Sequence, residues 1–471
     1  MLRSGSQIVR AGRGCLFRLI IGGIGLWGLA IRDGWALGPH EVVVIENTRS
    51  PDSQKLAREY CRMWQVPESN LISVEVPLPS AEADSLTPDD FTRLIWEPVN
   101  RTLQERRLDG HVLAWVYSAG FPVRIATQPP MSLTGLTWVR NRPPPREAIE
   151  KGEWLSPVFA GPARPGASFS GTQTLDVFKE WLGQEMPLPA MMLGYVGAYG
   201  NTPEEIIQTW NPRRSSATPG GSVYFVTNTD IRSRCRDWQF AGAAKELRAL
   251  GVSVQVTSDW PSNSLPLMGL MTGRGTVDFQ RLNMRPGSIG DHLTSFGAVF
   301  EKTGQTRISE WIRAGACASA GTVAEPMSIA AKFPNGRLFA HLARGVTILE
   351  GYALATKCPL QLLILGDPLA APWAGPQENL RLSGMEAGPV LRKPTRIQVM
   401  PDLSGKAIFT KYLFLCDGVP LRPRSRENEI WLDPGNLTPG RHRLRGVAYS
   451  AGTIRRQAWS EIELTREVTK E

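Results

Sequence analysis

His292 and Cys317 are the two side chains of this sequence best suited to act together on a substrate. A thiolate is a nucleophile, and a nearby imidazole can take the thiol proton and return it to a leaving group. Both lie in the stretch Arg285 to Pro326, RPGSIGDHLTSFGAVFEKTGQTRISEWIRAGACASAGTVAEP. Around the histidine stand Asp291, Thr294 and Ser295, and in or just after the cysteine segment Ser319, Thr322 and Glu325, all able to hold a ligand. The expectation is therefore a catalytic pair, His292 and Cys317, with those six residues as a binding set. Each has a plainer alternative. A cysteine among Gly, Ala and Ser in a strand packs as a small hydrophobe. The histidine can serve a structural hydrogen bond, Glu325 can cap a helix beginning after Pro326, and Asp367 can close the turn Gly366-Asp367-Pro368. In a strand Asp291 faces away from His292 and cannot orient it, whereas Thr294 shares its face.

Positioning these groups calls for a strand, a helix and a second strand. Gly287 to Gly297 and Ala314 to Val323 flank GQTRISEWIRAG, in which Ile308, Trp311 and Ile312 fall on one helical face. The glycines mark backbone that turns sharply or is closely approached. If the two strands end side by side at one rim of a sheet, the reactive groups gather there.

The rest of the chain supplies such a sheet. EVVVIEN at 41–47, NLISVEVP at 70–77 and HVLAWVYS at 111–118 read as strands with nearly unbroken apolar runs, separated by helices. That pattern belongs to a mostly parallel sheet covered on both faces. Ser50 followed by Pro51 opens the first helix, with Leu56, Tyr60, Met63 and Trp64 on one face. A Pro/Gly-rich excursion over the surface is expected at 127–174, before the alternation resumes and carries the α/β domain to about 380. Residues 381–395 read as a linker. From 396 to 471 short alternating segments are separated by turns such as Asp417-Gly418 and Pro439-Gly440, the pattern of an antiparallel, Ig-like β-sandwich.

Composition narrows the class. A chain of 471 residues with 42% hydrophobic and 21% charged residues is folded and globular. The net charge of +9 owes much to arginines near the start, and no basic tract with interleaved aromatics appears, so no nucleic-acid partner is expected. Arg3, Arg10, Arg13 and Arg18 precede an apolar run of about 13 residues, and Gly34-Trp35-Ala36 offers a small-x-small cleavage site. Residues 1–36 thus read as a signal peptide, placing the protein in the periplasm or outside the cell, with membrane contact only through that segment if it stays uncleaved. Beyond Cys15 the cysteines Cys61, Cys235, Cys317, Cys358 and Cys416 are odd in number and widely spaced without CxxC. Neither a disulfide framework nor a structural zinc site is expected, and no cofactor motif is present. Arg232, Arg234 and Arg236 read as solvated surface or as a grip for an anion.

SPDSQKLAREYCRMWQVPESNLI, WVYSAGFPVRI, NTDIRSRCRDWQFAGAAKEL, RPGSIGDHLTSFGAVF, WIRAGACASAGTVAEP and LGDPLAAPW carry a family likeness from about Val42 to Trp373. With them the chain resembles an uncharacterised family of exported bacterial proteins found in organisms that carry exosortase, a membrane peptidase. It is more distantly similar to gingipain-type cysteine peptidases, whose α/β domain is caspase-like. In those enzymes a Gly-His-Gly turn supplies the histidine, the next strand the cysteine, a Gly-Gly-Ala strand comes after it, and a GDP turn comes late. AGACASAG resembles the Gly-Gly-Ala strand and Gly366-Asp367-Pro368 the late turn. SIGDHLTSFG stands where the cysteine strand belongs and MTGRGT where the Gly-His-Gly turn belongs, and neither holds the expected residue.

The resemblance implies a caspase-like or flavodoxin-like sheet that has lost the peptidase dyad. The resulting expectation is an exported cell-envelope protein acting as a binding or processing component on another envelope protein or a polysaccharide. The alternative is a cysteine-dependent hydrolase using His292 and Cys317.

Overall fold

A computed structural model describes residues 36–80, 84–161, 171–210, 220–375, 378–385, 390–402 and 407–467. The expected signal peptide lies outside them except for Ala36, which is buried and whose carbonyl accepts from Gln457 Nε2 at 2.5 Å. Helix Pro51–Trp64 begins as the sequence predicts, the Ser50 hydroxyl accepting from the Ser53 amide at 3.1 Å and Pro51 occupying the first turn. Among the described residues no helix is long and apolar enough to cross a membrane.

The centre of the molecule is one ten-stranded sheet. Its strands take the order Leu71–Val74, Val42–Asn47, Ala114–Tyr117, Ala190–Met192, Leu362–Gly366, Ala318–Thr322, Asn283–His292, Pro266–Thr272, Ser222–Val226 and Val254–Thr257. Central strands such as Val42–Asn47 and Leu362–Gly366 are buried along their whole length, which is why they read as continuous apolar runs. Every neighbouring pair is parallel except one. Leu362–Gly366 runs antiparallel to Ala318–Thr322, with Ala318 opposite Gly366 and Thr322 opposite Leu362. The five strands on one side of this seam therefore point opposite to the five on the other, and their carboxyl ends lie along opposite rims.

The glycine-rich strands are adjacent and parallel, Ile289 opposite Ala318, with helix Ile308–Arg313 packed against them. Glycine is required by that packing. A Cβ on Gly290 would fall inside the Trp311 ring, and one on Gly321 would press on Ile308 and the Gly297 backbone.

Two boundaries differ from expectation. Within 127–174, helix Leu133–Trp138 is wholly buried, capped by Ser132, whose hydroxyl also donates to the Leu362 carbonyl at 2.8 Å. Gly135 permits this by lying against the Leu360 carbonyl. That part of the segment is core, not surface, and 162–170 lies outside the described residues. The expected linker contributes strand Leu380–Ser383, whose Leu382 packs into the second core with Ile397, Val399, Phe414 and Leu444. Its alternation spans only four residues, too few to separate from linker composition.

The C-terminal part is a sandwich of a three-stranded sheet, Leu380–Ser383, Thr395–Pro401 and Glu429–Leu432, and a four-stranded sheet, Val419–Pro420, Phe409–Cys416, Gly440–Ser450 and Gln457–Arg466. A buried charge network fixes it to the α/β part. Arg424 donates to Asp176 Oδ2 at 2.7 Å and Glu41 Oε1 at 3.1 Å, and its guanidinium lies 3.6 Å over the Tyr449 ring. Gln457 Nε2 reaches Glu41 Oε2 at 2.7 Å, and Arg455 holds both Asp176 and Glu180.

Candidate functional site

His292 ends its strand in complete burial. The Trp311 indole Nε1–H donates to its Nδ1 at 2.9 Å, which makes Nε2 the protonated nitrogen, donating to the Thr306 carbonyl at 2.9 Å. Both ring nitrogens are thus used, and the neutral tautomer is fixed. Burial pushes its pKa down to about 4, with the Arg236 charge adding to this and the Thr306 contact opposing it. A ring so held cannot reach a substrate or exchange a proton near neutral pH.

Cys317 is not brought to it. The Cys317 amide donates to the Ser288 carbonyl at 2.7 Å, so the cysteine lies level with Ser288, four residues short of His292. At about 3.3 Å per residue that is roughly 13 Å along the strand. Cys317 stands just before its strand begins, at the opposite rim, where its carbonyl accepts from the Asp367 amide at 3.0 Å. Asp367 closes the turn as the sequence predicts, its carboxylate accepting from the Leu369 and Ala370 amides and the Tyr60 hydroxyl. The expected dyad is thus contradicted by register: the strands are neighbours, but the two residues sit at opposite ends of them.

The binding set is largely internal. Asp291 faces away from His292, as alternation requires, and forms a buried ion pair with Arg236 at 2.5 Å. Burial raises the Asp291 pKa and the Arg236 charge opposes that rise. Arg236, expected at the surface, is fully buried and also donates to the Thr272 carbonyl. Thr322 donates to the Ser295 carbonyl at 3.1 Å, and Thr294 to Gln305 Oε1 at 2.7 Å. Ser319 is buried, and Glu325 is exposed with its carboxylate on the Met327 amide. The Thr322 contact ties the loop after His292 to the sheet.

One consequence is measurable. The His292 pKa is lower in the folded chain than the unfolded 6.5, so its contribution to stability is present above pH 6.5 and is lost as pH falls towards 4. Across that window wild type should lose about 3 kcal/mol relative to His292→Gln, read from urea unfolding at a series of pH values. Parallel pH profiles for the two proteins would refute the neutral, buried assignment.

Open space lies elsewhere. A cavity of about 450 Å³ is lined by Ser85, Arg124, Thr127, Gln128, Arg146 and Glu150. A larger cleft of about 700 Å³ lies in the sandwich, between its outer strands Val419–Pro420 and Glu429–Leu432. Arg422, Asp433 and Asn436 offer polar groups to it, and Trp431 beside it is 69% exposed. His442, Asp417 and Cys416 also line it. The sequence marks Asp417-Gly418 as a turn and alternates through 429–432, but nothing in it signals that strands far apart enclose a cleft.

The chain matches no protein-family model and no curated protein sequence. Among solved structures it is similar to the Arg-specific cysteine proteinase gingipain R, at 10% identity, TM-score 0.46, covering 93% of this chain and 100% of that one. It is similar to the complex of Porphyromonas gingivalis RgpB pro- and mature domains, at 9% identity, TM-score 0.45, covering 91% and 100%. Fibronectin(III)-like modules of Clostridium thermocellum CbhA match at 14% identity and TM-score 0.16, covering 19% of this chain and 97% of theirs. With TM-scores below 0.5, none of these likenesses bears on chemistry.

Proposed function

We propose that this is an exported binding component of the cell envelope, not a hydrolase, and that its sandwich cleft holds a polysaccharide. The observation that carries this reading is the cleft itself. Its volume of about 700 Å³ lies within the range of ligand sites. Trp431 offers an exposed aromatic face, a large amphipathic surface for a ring to lie against. Arg107 supplies a positive charge, and Asn436 and Asp433 supply hydrogen-bonding groups for hydroxyls. Export rests on the basic, apolar, small-residue order of the first 36 residues.

Affinity electrophoresis through gels containing alginate or a neutral polymer, glucomannan, tests the reading. Wild type should be retarded, and Trp431→Ala should lose at least tenfold in affinity with unchanged circular dichroism. A thiol-directed activity probe should label wild type and Cys317→Ala equally. Absence of retardation in both polymers would refute glycan binding, and labelling that disappears in Cys317→Ala would restore the hydrolase reading.

A further inference from the structure

We infer that Cys416, Asp417 and His442 form a transition-metal site of the zinc class. Consecutive residues on a strand point to opposite faces, so Cys416 and Asp417 would normally be kept apart. Here the strand Phe409–Cys416 ends at Asp417, whose left-handed backbone, φ 51°, together with Gly418 at φ 83°, turns the carboxylate back towards the thiol. His442, on strand Gly440–Ser450, completes the group. One ligand atom from each, Sγ, a carboxylate oxygen and a ring nitrogen, all lie within 4.8 Å of one another.

The roles of the remaining polar atoms are already assigned. His442 Nε2 lies 2.7 Å from the Thr438 carbonyl, and donation there leaves Nδ1 as the nitrogen turned to the cluster. A metal-bound histidine usually has its second nitrogen on such a partner, which fixes the ring and raises its basicity. Asp417 Oδ1 accepts from the Arg443 amide at 2.8 Å, leaving Oδ2 for the ion. Oδ2 is 2.7 Å from Nδ1 and 3.8 Å from Sγ. Tetrahedral bonds of about 2.0–2.3 Å require ligand atoms about 3.3–3.7 Å apart. Sulfur and oxygen already stand near that spacing, and nitrogen and oxygen must open by roughly 0.6 Å.

The donor set selects the metal class. Sulfur and imidazole suit zinc or cobalt and not the all-oxygen shells of calcium or magnesium. Three protein ligands beside a cleft leave a fourth position for water or a ligand group, the pattern of an open site. Binding replaces the thiol proton, which passes to solvent, and takes the imidazole as its neutral ring. The cysteine spacing predicts no such site, because the ligands come from two strands 25 residues apart, Asp417 to His442.

Cobalt titration of the full chain, freed of metal by chelator, tests the inference without reference to any polysaccharide. One Co²⁺ per chain should bind with a thiolate charge-transfer band and tetrahedral visible bands, both displaced by Zn²⁺. Cys416→Ser should lose the charge-transfer band, and His442→Ala should weaken binding at least tenfold. Asp417→Asn, a milder change, should weaken cobalt while far-ultraviolet dichroism stays as in wild type. A spectrum without bands would mean an ion pair only, and a band retained in Cys416→Ser would place the metal elsewhere; either overturns the site. Loss of polysaccharide retardation with cobalt binding intact would overturn the glycan reading alone.

Discussion

Asp291→Ala is expected to lower the unfolding free energy by about 3–5 kcal/mol, since removing one partner of a buried ion pair leaves the other charge uncompensated. Arg236 and Asp291 are both fully buried, so neither charge faces bulk solvent. Arg236→Met should cost a similar amount by stranding the carboxylate, although protonation of Asp291 softens that loss at low pH. The informative protein is the double variant Arg236→Met/Asp291→Leu. Replacing a buried pair by apolar groups of similar volume is often close to neutral, so the double should be more stable than either single variant. Chemical unfolding monitored by tryptophan fluorescence reads this directly. Additive losses in the double would mean that the two side chains do not depend on one another.

Arg424→Ala should be comparably damaging, by about 3–5 kcal/mol, because it leaves Glu41 buried without its cation, beside Asp176, which keeps Arg455. Glu41 is 1% exposed and Asp176 7%, so neither can be rehydrated without separating the sandwich from the α/β part. Burial already raises the Glu41 pKa against the opposing pull of Arg424, with Asp176 adding to the rise. Protease should therefore cut Arg424→Ala between the two parts at concentrations that wild type survives. Arg392→Ala, which removes only the exposed contact with Glu467, should leave the unfolding midpoint where it is. Equal behaviour of the two variants would deny the network its role in holding the parts together.

How far the sequence reaches is clearest at the strands around Trp311. Spacing of Ile308, Trp311 and Ile312 identifies the helix, and the glycines identify backbone closely approached, here by that helix itself. Adjacency of the two strands is also legible. Direction is not, because periodicity within a strand carries no information about which way its neighbour runs. The antiparallel seam beside Ala318–Thr322 decides which strand ends share a rim with Cys317. Arg236 fails for a related reason. Its composition reads as surface, and only a partner 55 residues further on, Asp291, accounts for its burial. Polar residues whose meaning depends on a distant partner are the ones local pattern cannot read.

Glu41 sits at the front of the first strand and draws its partners from Arg424, Tyr449 and Gln457, the last of them 416 residues away. Synthesis from the amino terminus therefore cannot finish the surroundings of strand Val42–Asn47 until strand Gln457–Arg466 has emerged. Contacts of such long sequence separation slow folding and lengthen the life of incomplete states. A chain interrupted before Gln457 should accordingly be cut by protease at the junction between the α/β part and the sandwich, where wild type resists.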